Sequence, residues 1–580
     1  MHMSNSQWLM RETDANLPLM AKTLGISEIT ARVMANRNIR TKNTALTFLK
    51  TSIDNLNNLR PFLAMKNALK ALDRISTAIK NGEKITIYGD YDADGITSTT
   101  ILHKVMTRLG GVSSYYIPHR IDEGYGMNIN AIKNLAKTDT KLIIAVDNGI
   151  AAVDEIAFAN ALGIDTVVID HHEPGEALPD AIAIVDPKQQ DCPYPFKEMC
   201  AGGLAYRLAD ALCEYMNMPF TEQEEALVLA AIATICDIVP LTDENRILVN
   251  CGMVVLNSNK LVNQGLGSLL NIRGYLEKPI DTFAIGFAVG PCINAAGRLD
   301  SAIKAVELLL SDDIATRMQL AHQLAELNEE RKNLTANCIQ RILDNLSGEL
   351  DKVLVITDTE IHESIAGIVA GRIRDITGHP AIVLTHGDGA MKGSGRSPKC
   401  YNLFEALNDN RHLLSRFGGH SMAAGLTIPP ENVPLLHAAL NRDCTLTEED
   451  FSPIFEIDAE LALNDITIKL SDEILRLAPF GRGNSEPLFV TYTLYAENVR
   501  TIDEKNTIIF TFADNFGRKI KGIAFGLNDT YNERVADAGV NKLGGFGIDV
   551  VYCIETNVFN GNVSAQMRVK DFIIKTLEIS

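Results

Sequence analysis

The sequence lacks the features that mark an exported, zinc-binding or membrane-spanning protein. Its ten cysteines form no C-x-x-C pair and show no spacing typical of zinc ligands. There is no apolar run of about 18 residues or more, and no basic segment followed by an apolar one at the start, so neither a membrane span nor a secretory signal is expected. We therefore expect reduced thiols and a cytoplasmic protein.

Positive charge is also scarce. The chain has 54 Lys and Arg residues against 73 Asp and Glu residues, a net charge of −19. This balance argues against a protein that coats nucleic acid non-specifically, because such proteins need a broadly basic surface. It leaves open a nucleic-acid enzyme in which cations and a local basic groove reverse the potential. There are no internal repeats and no low-complexity segments.

At 580 residues the chain is too long for a single hydrophobic core. From 84 to 190, apolar runs alternate with helical patterns, which predicts an α/β domain with a parallel sheet. A second α/β unit begins near 352, and short alternating strands after 447 predict a small β-barrel. The predicted divisions are a helical lead-in at 1–50, a first α/β domain at 51–302, a long connecting helix at 303–346, a second α/β domain at 347–445 and a barrel at 446–580.

The most informative segment is 84–98, which reads KITIYGDYDADGITS. A β-prone run ends in three aspartates at alternate positions, Asp90, Asp92 and Asp94. Carboxylates this close repel one another, so a folded protein tolerates them where a cation neutralises them. Oxygen ligands favour hard ions such as Mg²⁺ or Mn²⁺.

Other acidic residues follow the neighbouring apolar runs. These are Asp147, the triplet Asp170-His171-His172, and Asp237 within an apolar stretch. Parallel strands bring their carboxyl ends to one crevice, where these groups would converge. A single aspartate after a strand is usually a turn residue or helix cap, and we interpret Asp186 before Pro187 in that way. Together the set predicts two cations bridged by a carboxylate, an arrangement that hydrolyses phosphate esters.

Several motifs of this chain resemble the DHH phosphoesterase superfamily, which is named for the triplet at 170–172. Within it, the likeness is to the single-stranded-DNA-specific exonucleases. It covers roughly 50–430, and the tail resembles an OB-fold barrel. The resemblance implies a DHH domain, a DHHA1 domain and an OB-fold domain. The motifs that carry it are YGDYDADG at 88–95, CDIVPL at 236–241, GSGRS at 393–397 and RFGGHSMAAG at 416–425.

The resemblance also implies the roles of the acidic residues. One Mn²⁺ or Mg²⁺ would be held by Asp94, Asp147, His171 and Asp237. The second would be held by Asp92 and the shared Asp147, with Asp90 as a direct or water-mediated partner. His172 would face the phosphate. Many smaller members have a histidine where this chain has Tyr88, so the second ion is expected to bind more weakly.

Further residues are implied as phosphate contacts. Ser394 and Arg396 are expected in a glycine-rich loop whose N–H groups and guanidinium approach a phosphate. His420 is expected in a turn near the scissile phosphate. Arg120 and Arg298 are further candidates, with an ordinary surface or interdomain ion pair as the alternative for each.

The barrel would bind a single strand through aromatic stacking and a basic groove. Its aromatic residues mostly alternate as core residues do, so we expect most of them to pack inside. The basic residues are the better candidates for contact with DNA. The aromatic set is Phe489, Tyr492, Tyr495, Phe510, Phe512, Phe516 and Phe525, and the basic set is Arg482, Arg500, Arg518, Lys519 and Lys521.

By resemblance, the expected function is a two-metal exonuclease that degrades single-stranded DNA from its 5′ end to mononucleotides. Recombination and repair are the implied setting, with single-stranded-DNA-binding protein and a RecQ-type helicase as possible partners. Two alternatives remain open. One is a DHH phosphoesterase acting on nano-RNA, cyclic dinucleotides or pyrophosphate, which would need no barrel. The other is a binding protein with a decayed site, which the complete set of acidic residues disfavours.

Overall fold

The structure is a computed structural model that describes residues 6–50, 52–346, 348–387, 389–559 and 561–575. The described chain forms two compact units, one made of residues 52–452 and one made of residues 6–50 and 453–575. The second unit therefore includes the segment that the sequence alone sets apart as a helical lead-in. No helix among the described residues is long and apolar enough to cross a membrane.

The first unit begins with a five-stranded parallel sheet, which confirms the predicted α/β class. Its apolar side chains, such as Ile87 and Ile144, are fully buried, as expected for a sheet covered on both faces. Successive strands add on opposite sides of the first one, so a crevice opens at the carboxyl ends of the first and third strands. The spatial order is Val112–Tyr116, Lys84–Tyr88, Thr140–Val146, Asp165–Ile169 and Ala183–Val185.

Helices cover this sheet and extend beyond it. A short helix, Thr282–Ala284, runs through the π-helical turn Ile285–Val289 into Gly290–Leu299. Two 3₁₀ turns, Ile53–Asn58 and Phe62–Ala64, precede the first helix. The remaining helices are Ala68–Asn81, Ala93–Arg108, Ile129–Lys137, Val153–Ala161, Ala201–Tyr215, Gln223–Cys236, Asp243–Ser258 and Gln264–Ile272.

The predicted connecting helix is two helices. Ile303–Leu310 ends at Ser311, and a new helix of 32 residues, Ile314–Asn345, starts behind Asp313. Asp313 accepts a hydrogen bond from the backbone N–H of Thr316 at 2.7 Å, the usual role of an N-cap. A long helix is thus present over most of the segment 303–346, as expected, but it starts at Ile314 and not at 303, because Ser311 and Asp313 favour a cap over continuation.

The second sheet of the first unit is mixed, with Leu354–Thr357 and Ala381–His386 parallel and the other strands antiparallel. Its strand order is Arg416–His420, Ala423–Ile428, Met391–Arg396, Ala381–His386 and Leu354–Thr357. The helices around it are Ala366–Thr377, Leu403–Asp409 and Val433–Asp443. Its 3₁₀ turns are Glu363–Ile365, Arg411–Leu413, Pro430–Asn432 and Glu448–Phe451.

The second unit contains a barrel in which the first long strand, Phe489–Ile502, pairs with both Thr507–Ala513 and Phe546–Phe559. Lys519–Phe525 and Asn562–Lys575 complete it, and Ala459–Glu460 adds at one side. The strand Gln7–Met10 pairs in parallel with Ile454–Ile457. The helices are Leu17–Leu24, Glu28–Ala35, Lys42–Leu49, Ile468–Leu475 and Asn528–Ala538, with 3₁₀ turns at Leu463–Asp465 and Asp503–Lys505.

Candidate metal centre and phosphate site

The triple aspartate lies on the loop after the strand Lys84–Tyr88. Asp92 caps the next helix, because its Oδ1 accepts hydrogen bonds from the backbone N–H groups of Asp94 at 3.0 Å and Gly95 at 3.1 Å. Asp90 is buried, and its Oδ1 has no hydrogen-bond partner among the described residues. A Cβ at Gly95 would lie 2.5 Å from the Asp90 carbonyl oxygen, so this close turn requires glycine.

Asp94 is held from the opposite side by a second helix. Its two carboxylate oxygens accept hydrogen bonds from the backbone N–H groups of Ala201 at 2.9 Å and Gly202 at 2.6 Å. These groups begin the helix Ala201–Tyr215, whose N-terminal end favours a negative charge. The carboxylate is therefore fixed in direction as well as buried.

Asp147 follows the strand Thr140–Val146 in a left-handed backbone conformation, with φ of 63°. Aspartate tolerates this conformation better than most residues do. Its Oδ1 lies 3.1 Å from Nε2 of His171, and the same nitrogen lies 3.6 Å from Oδ2 of Asp94. The ends of three strand-to-helix connections therefore meet around one imidazole.

Asp170 organises the two histidines that follow it. Its Oδ1 accepts hydrogen bonds from the backbone N–H groups of His171 at 2.7 Å and His172 at 3.2 Å, and it lies 2.8 Å from His172 Nδ1. Its Oδ2 accepts from the Ile150 N–H at 2.9 Å. Burial works against its charge, but the hydrogen bond and positive charge of His172 lower the pKa of Asp170 to about 2.

Asp237 ends the helix Gln223–Cys236, and its Oδ2 lies 3.8 Å from Nδ1 of His171. The next residue, Ile238, has φ of 58°, a left-handed conformation that β-branched residues rarely adopt. Strained residues of this kind collect at functional sites. Here the turn leads the chain away from the site directly after the carboxylate.

The acidic residues form two groups that are suited to cations. Asp94, His171 and Asp237 offer ligand atoms within 4.8 Å of one another, and so do Asp90, Asp92 and Asp147. A third overlapping group is Asp147, Asp170, His171 and His172. Carboxylate oxygens with one imidazole suit Mn²⁺ or Mg²⁺, and the unpartnered Asp90 oxygen is a further free donor for a cation.

The electrostatics of these groups indicate the same need for positive charge. Burial, followed by the charge of Asp92, raises the pKa of Asp90 well above its usual value. Burial and then the charges of Asp94 and Asp92 do the same for Asp147. Burial lowers the pKa of His171 to about 3, so this ring is neutral and able to donate its lone pair.

His172 is charged, unlike His171. Burial would lower the pKa of His172, but the hydrogen bond and charge of Asp170 raise it to about 9. The hydroxyl of Tyr125 lies 3.3 Å from His172 Nε2 and donates to the backbone oxygen of Asp147 at 3.1 Å. Tyr125 was not singled out from the sequence, although an aromatic residue between two glycines at 124–126 was a signal.

Tyr88 contacts residues outside the acidic groups. It is fully buried, donates a hydrogen bond to the Gly126 carbonyl at 3.3 Å and accepts one from Asn128 at 3.1 Å. Its ring packs on Tyr116 with ring centroids 5.0 Å apart. The hydroxyl is thus occupied by the protein and does not replace a histidine ligand.

The helix Gly290–Leu299 contacts the loop that carries the three aspartates. The Asn294 side chain accepts a hydrogen bond from the Ala93 N–H at 2.7 Å. Arg298 is largely buried and donates through Nη1 to the Ser364 carbonyl at 2.6 Å, which joins this helix to the second sheet's domain. Burial, with Arg120 and Arg331 adding to it, lowers the pKa of Arg298 to about 10. Asn294 was missed because a lone asparagine carries no pattern.

Arg120 and Arg396 complete a positive surface in the first unit. The guanidinium of Arg120 lies 4.7 Å from the centre of the Tyr91 ring, a cation–π contact. Arg396 donates through Nη1 to Ser394 Oγ at 2.9 Å and to the Gly395 carbonyl at 2.8 Å. Burial, then Arg374 and Arg120, lowers the pKa of Arg396.

Ser394 and Arg396 lie on the strand Met391–Arg396, so the prediction of a loop was wrong. The glycines serve packing: a Cβ at Gly393 would lie 2.4 Å from Leu384, and one at Gly395 would lie 2.6 Å from Leu403. At Gly367, near the start of the facing helix, a Cβ would lie 2.9 Å from both Arg396 Nη2 and Ser394 Oγ. The backbone of Gly367, the hydroxyl of Ser394 and the guanidinium of Arg396 therefore lie close together.

His420 ends the strand Arg416–His420, where a turn was predicted. It pairs with Ala423, which in turn pairs with Arg396 on its other side. His420 is exposed, and within the described ranges no hydrogen bond or ion pair joins it to the acidic groups. The structure therefore brings the predicted acidic residues together and places His420 on the strand pair beside Arg396, and a role for His420 near the phosphate stays a prediction.

In the barrel, aromatic residues divide between core and surface. Phe489, Phe510 and Phe512 are fully buried, whereas Phe516 is 83% exposed and Phe525 is 56% exposed. Tyr492 and Tyr495 are also exposed. Arg518 lies 5.4 Å from the centre of the Phe516 ring. Four of the seven aromatic residues named from the sequence are therefore exposed, so the expectation that most of them pack inside the barrel was wrong.

Three parts of the chain match known domain families. Residues 84–234 match the DHH family, N-terminal domain, residues 350–445 match the DHHA1 domain, and residues 457–571 match the RecJ OB domain. The matches follow the chain order of the two α/β sheets and the barrel. The stretch between 234 and 350, which carries Asp237 and Arg298, lies outside all three.

The chain is also similar to curated proteins and solved structures along its whole length. It is 36% identical to the single-stranded-DNA-specific exonuclease RecJ of Bacillus subtilis, covering 99% of this chain and 72% of the relative. It is 30% identical to the same-named protein of Escherichia coli, covering 96% and 97%. A crystal structure of RecJ in complex with Mn²⁺ from Thermus thermophilus has a TM-score of 0.81 at 27% identity, covering 98% of this chain and 79% of that one.

Proposed function

Because this chain belongs to the RecJ family of single-stranded-DNA-specific exonucleases, we propose that it removes nucleotides from the 5′ end of single-stranded DNA as 5′-mononucleotides. The activity is that of a metal-dependent exonuclease, and Mn²⁺ and Mg²⁺ are the ions found with solved relatives. The polarity and the product are the parts that we add.

The observation that carries the proposal is the pair of overlapping ligand groups around Asp147 and His171. We assign Asp94, Asp147, His171 and Asp237 to one ion. Asp92 and the shared Asp147 would hold the second ion, with Asp90 beside it. Asp94, His171 and Asp237 form one cluster of ligand atoms, and Asp90, Asp92 and Asp147 form the other. Asp147 is assigned to both ions because its Oδ1 also lies 3.1 Å from Nε2 of His171.

Two such ions, when bound, activate water and neutralise charge on the phosphate during hydrolysis. The protein supplies the rest of the chemistry. Asp170 raises the pKa of His172 to about 9 and fixes its Nδ1. Its Nε2 lies 3.3 Å from the Tyr125 hydroxyl, so a phosphate oxygen that accepts a hydrogen bond from this nitrogen would share it with Tyr125. Such a hydrogen bond would stabilise the charge that develops on the phosphate.

The 5′ polarity would come from a pocket for the terminal phosphate. Ser394 and Arg396 lie beside Gly367, where the backbone allows an anion to approach closely. The charge of Arg120 lowers the pKa of Arg396, and the same arginine lowers the pKa of Arg298, so Arg120 lies between the two. A terminal phosphate has one more negative charge than an internal one at neutral pH, so a cluster of arginines selects an end.

The barrel would also bind single-stranded DNA. Lys519, Lys521 and Phe525 occupy alternate positions of one strand and are all exposed, so they share its outer face. In OB folds this face binds oligonucleotides. We further propose that the enzyme acts in the cytoplasm in recombination and repair, with single-stranded-DNA-binding protein and a RecQ-type helicase as partners.

A digest of long single strands labelled at either end tests the function. With Mn²⁺ present, the 5′ label should appear first as a mononucleotide, the 3′ label should stay on long products, and duplex DNA should resist. Asp147→Asn, prepared in parallel, should be inactive. Earlier release of the 3′ label would contradict the polarity. Hydrolysis of dinucleotides only would favour the small-substrate phosphoesterase instead.

A further inference from the structure

Two arginines outside the predicted site extend its positive surface. Arg331 lies in the middle of the helix Ile314–Asn345, and Arg372 lies on the helix Ala366–Thr377. Neither forms an ion pair with a carboxylate in the described part of the chain. Glu329, two residues before Arg331, is engaged instead by Arg273 at 3.0 Å and Lys332 at 3.0 Å.

Arg331 is held in place by an amide, not by an acid. The side-chain oxygen of Asn328, one turn earlier, accepts hydrogen bonds from Arg331 Nε at 3.3 Å and Nη2 at 2.9 Å. Asn328 is fully buried, so this anchor is rigid. A guanidinium has five N–H groups, and two of them are used here, which leaves three to bind something else.

Arg331 lies near the positive charge of Arg372 and the negative charge of Glu329. It is half-buried, and burial followed by the charge of Arg372 lowers the pKa of Arg331. The charges of Arg331 and Arg120 both lower the pKa of Arg298. Because like charges repel, this run of arginines, in which Arg120, Arg298 and Arg331 are half-buried and Arg372 is exposed, is more stable where an anion neutralises it. The run crosses from the first sheet's domain to the second.

One terminal phosphate does not need all of these groups. Arg120, Arg298, Ser394 and Arg396 already supply its donors in the proposed function. Arg331 and Arg372 lie on two further helices, and a DNA strand carries phosphates at regular intervals beyond its end. A second phosphate of the same strand would be the partner of the N–H donors of Arg331 and Arg372.

We propose that Arg331, with Arg372 beside it, binds an internal backbone phosphate of the substrate strand. This inference rests on the proposed single-strand exonuclease function and adds a contact to it. The contact is to phosphate and not to a base, so it carries no sequence preference. It increases affinity for the strand whether or not the 5′ end is phosphorylated.

The test compares the initial cleavage of oligonucleotides by the full-length Mn²⁺ enzyme and by Arg331→Gln. A charged hydrogen bond to phosphate is worth roughly tenfold to a hundredfold, so KM should rise by that factor with kcat within about twofold. The rise should be equal for 5′-phosphate and 5′-hydroxyl ends. Arg372→Gln should have a smaller effect in the same direction.

Arg341→Gln is the matched control. Arg341 lies on the same helix, and its substitution removes the same charge. Its guanidinium, however, pairs with Asp358 at 2.6 Å and Glu360 at 3.2 Å. Its KM should stay near that of the parent enzyme. Arg331→Lys, which keeps the charge, should recover part of the loss.

A single neutral methylphosphonate linkage, moved along the strand, locates the phosphate. At one internal position it should raise the KM of the parent enzyme but not that of Arg331→Gln. An effect confined to 5′-phosphorylated ends would overturn the inference and place Arg331 in the terminal pocket. Equal loss with Arg331→Lys, together with a lower melting temperature, would overturn it in favour of a structural role. A parent enzyme that leaves single strands intact would instead refute the proposed function.

Discussion

Gly297 lies directly against the backbone carbonyl of Tyr91, so that a Cβ on residue 297 would be 2.3 Å from the Tyr91 oxygen. Tyr91 is part of the loop that carries Asp90, Asp92 and Asp94. The helix that contains Gly297 therefore fixes the position of that loop. This contact links the AAGR segment at 295–298 to the metal centre.

We expect Gly297→Ala to shift the aspartate loop and to weaken Mn²⁺ binding. A displacement of about 1 Å at a catalytic group costs roughly a hundredfold in rate. Mn²⁺ titration and initial rates measure the effect. Gly286→Ala is the control, because the nearest atom to its Cβ would be 3.8 Å away, on Ile235. Equal behaviour of the two variants would show that the contact does not position the loop.

Asp147→Ala should abolish nuclease activity, because this carboxylate belongs to both proposed ion sites. We expect a loss of roughly a thousandfold or more, with weaker binding of both ions. Rates on a labelled single strand and Mn²⁺ stoichiometry are the measurements. Asp154→Asn, an exposed residue at the start of the next helix, should retain activity. Retained rates in Asp147→Ala would refute the shared ligand.

Arg396→Gln should reduce the preference for 5′-phosphorylated ends while leaving the ions bound. Its guanidinium supplies a charged donor beside Ser394, and such a donor is worth roughly tenfold to a hundredfold. The ratio of kcat/KM for phosphorylated and unphosphorylated ends is the readout. A fall in Mn²⁺ occupancy, with the end preference unchanged, would move Arg396 out of the phosphate pocket.

Removal of the ions should make stability fall as the pH rises. Burial and neighbouring carboxylates raise the pKa of Asp94 to about 7 and that of Asp237 to about 8. The unfolded chain loses these protons near pH 4, so between about 4 and 8 the folded state binds more protons and its stability decreases with pH.

Melting temperatures in chelator between pH 5 and 8 should therefore fall, whereas saturating Mn²⁺ should flatten the trend. Ion binding should also release protons, which calorimetry in buffers of different ionisation enthalpy detects. A chelated protein whose stability rises over this range would contradict the assignment of these acids to one uncompensated cluster.

The parallel sheet and the acidic cluster could be predicted because both depend on local patterns. Apolar runs that end in acids place Asp94, Asp147 and His171 at one edge of a sheet. What the patterns could not reveal depends on neighbours distant in sequence. The caps on Asp94 from residues 201 and 202, and the hydrogen bond from Ala93 to Asn294, join segments about 100 and 200 residues apart.

Glycine-rich segments were misread for a related reason. Gly393 and Gly395 suggested a flexible loop, but they lie in a strand, where the side chains of Leu384 and Leu403 occupy the space that a Cβ would need. Composition alone does not distinguish a glycine chosen for its backbone from one chosen for its lack of a side chain. Similarly, helical periodicity continued across 311–313, and only the cap at Asp313 divides it.

The hydrogen bonds from Ala201 and Gly202 to Asp94 have an evolutionary consequence. A Cβ at Gly202 would lie 2.3 Å from the Cβ of Ala233 and 3.1 Å from Asp94 Oδ1. Position 202 therefore packs in the core of the domain and at the same time contacts a carboxylate of the metal centre. In most enzymes, replacing a small buried residue on a helix changes only the packing of the core. At position 202 such a replacement would also change the affinity for the ion. Fewer substitutions are therefore tolerated in this helix as sequences diverge.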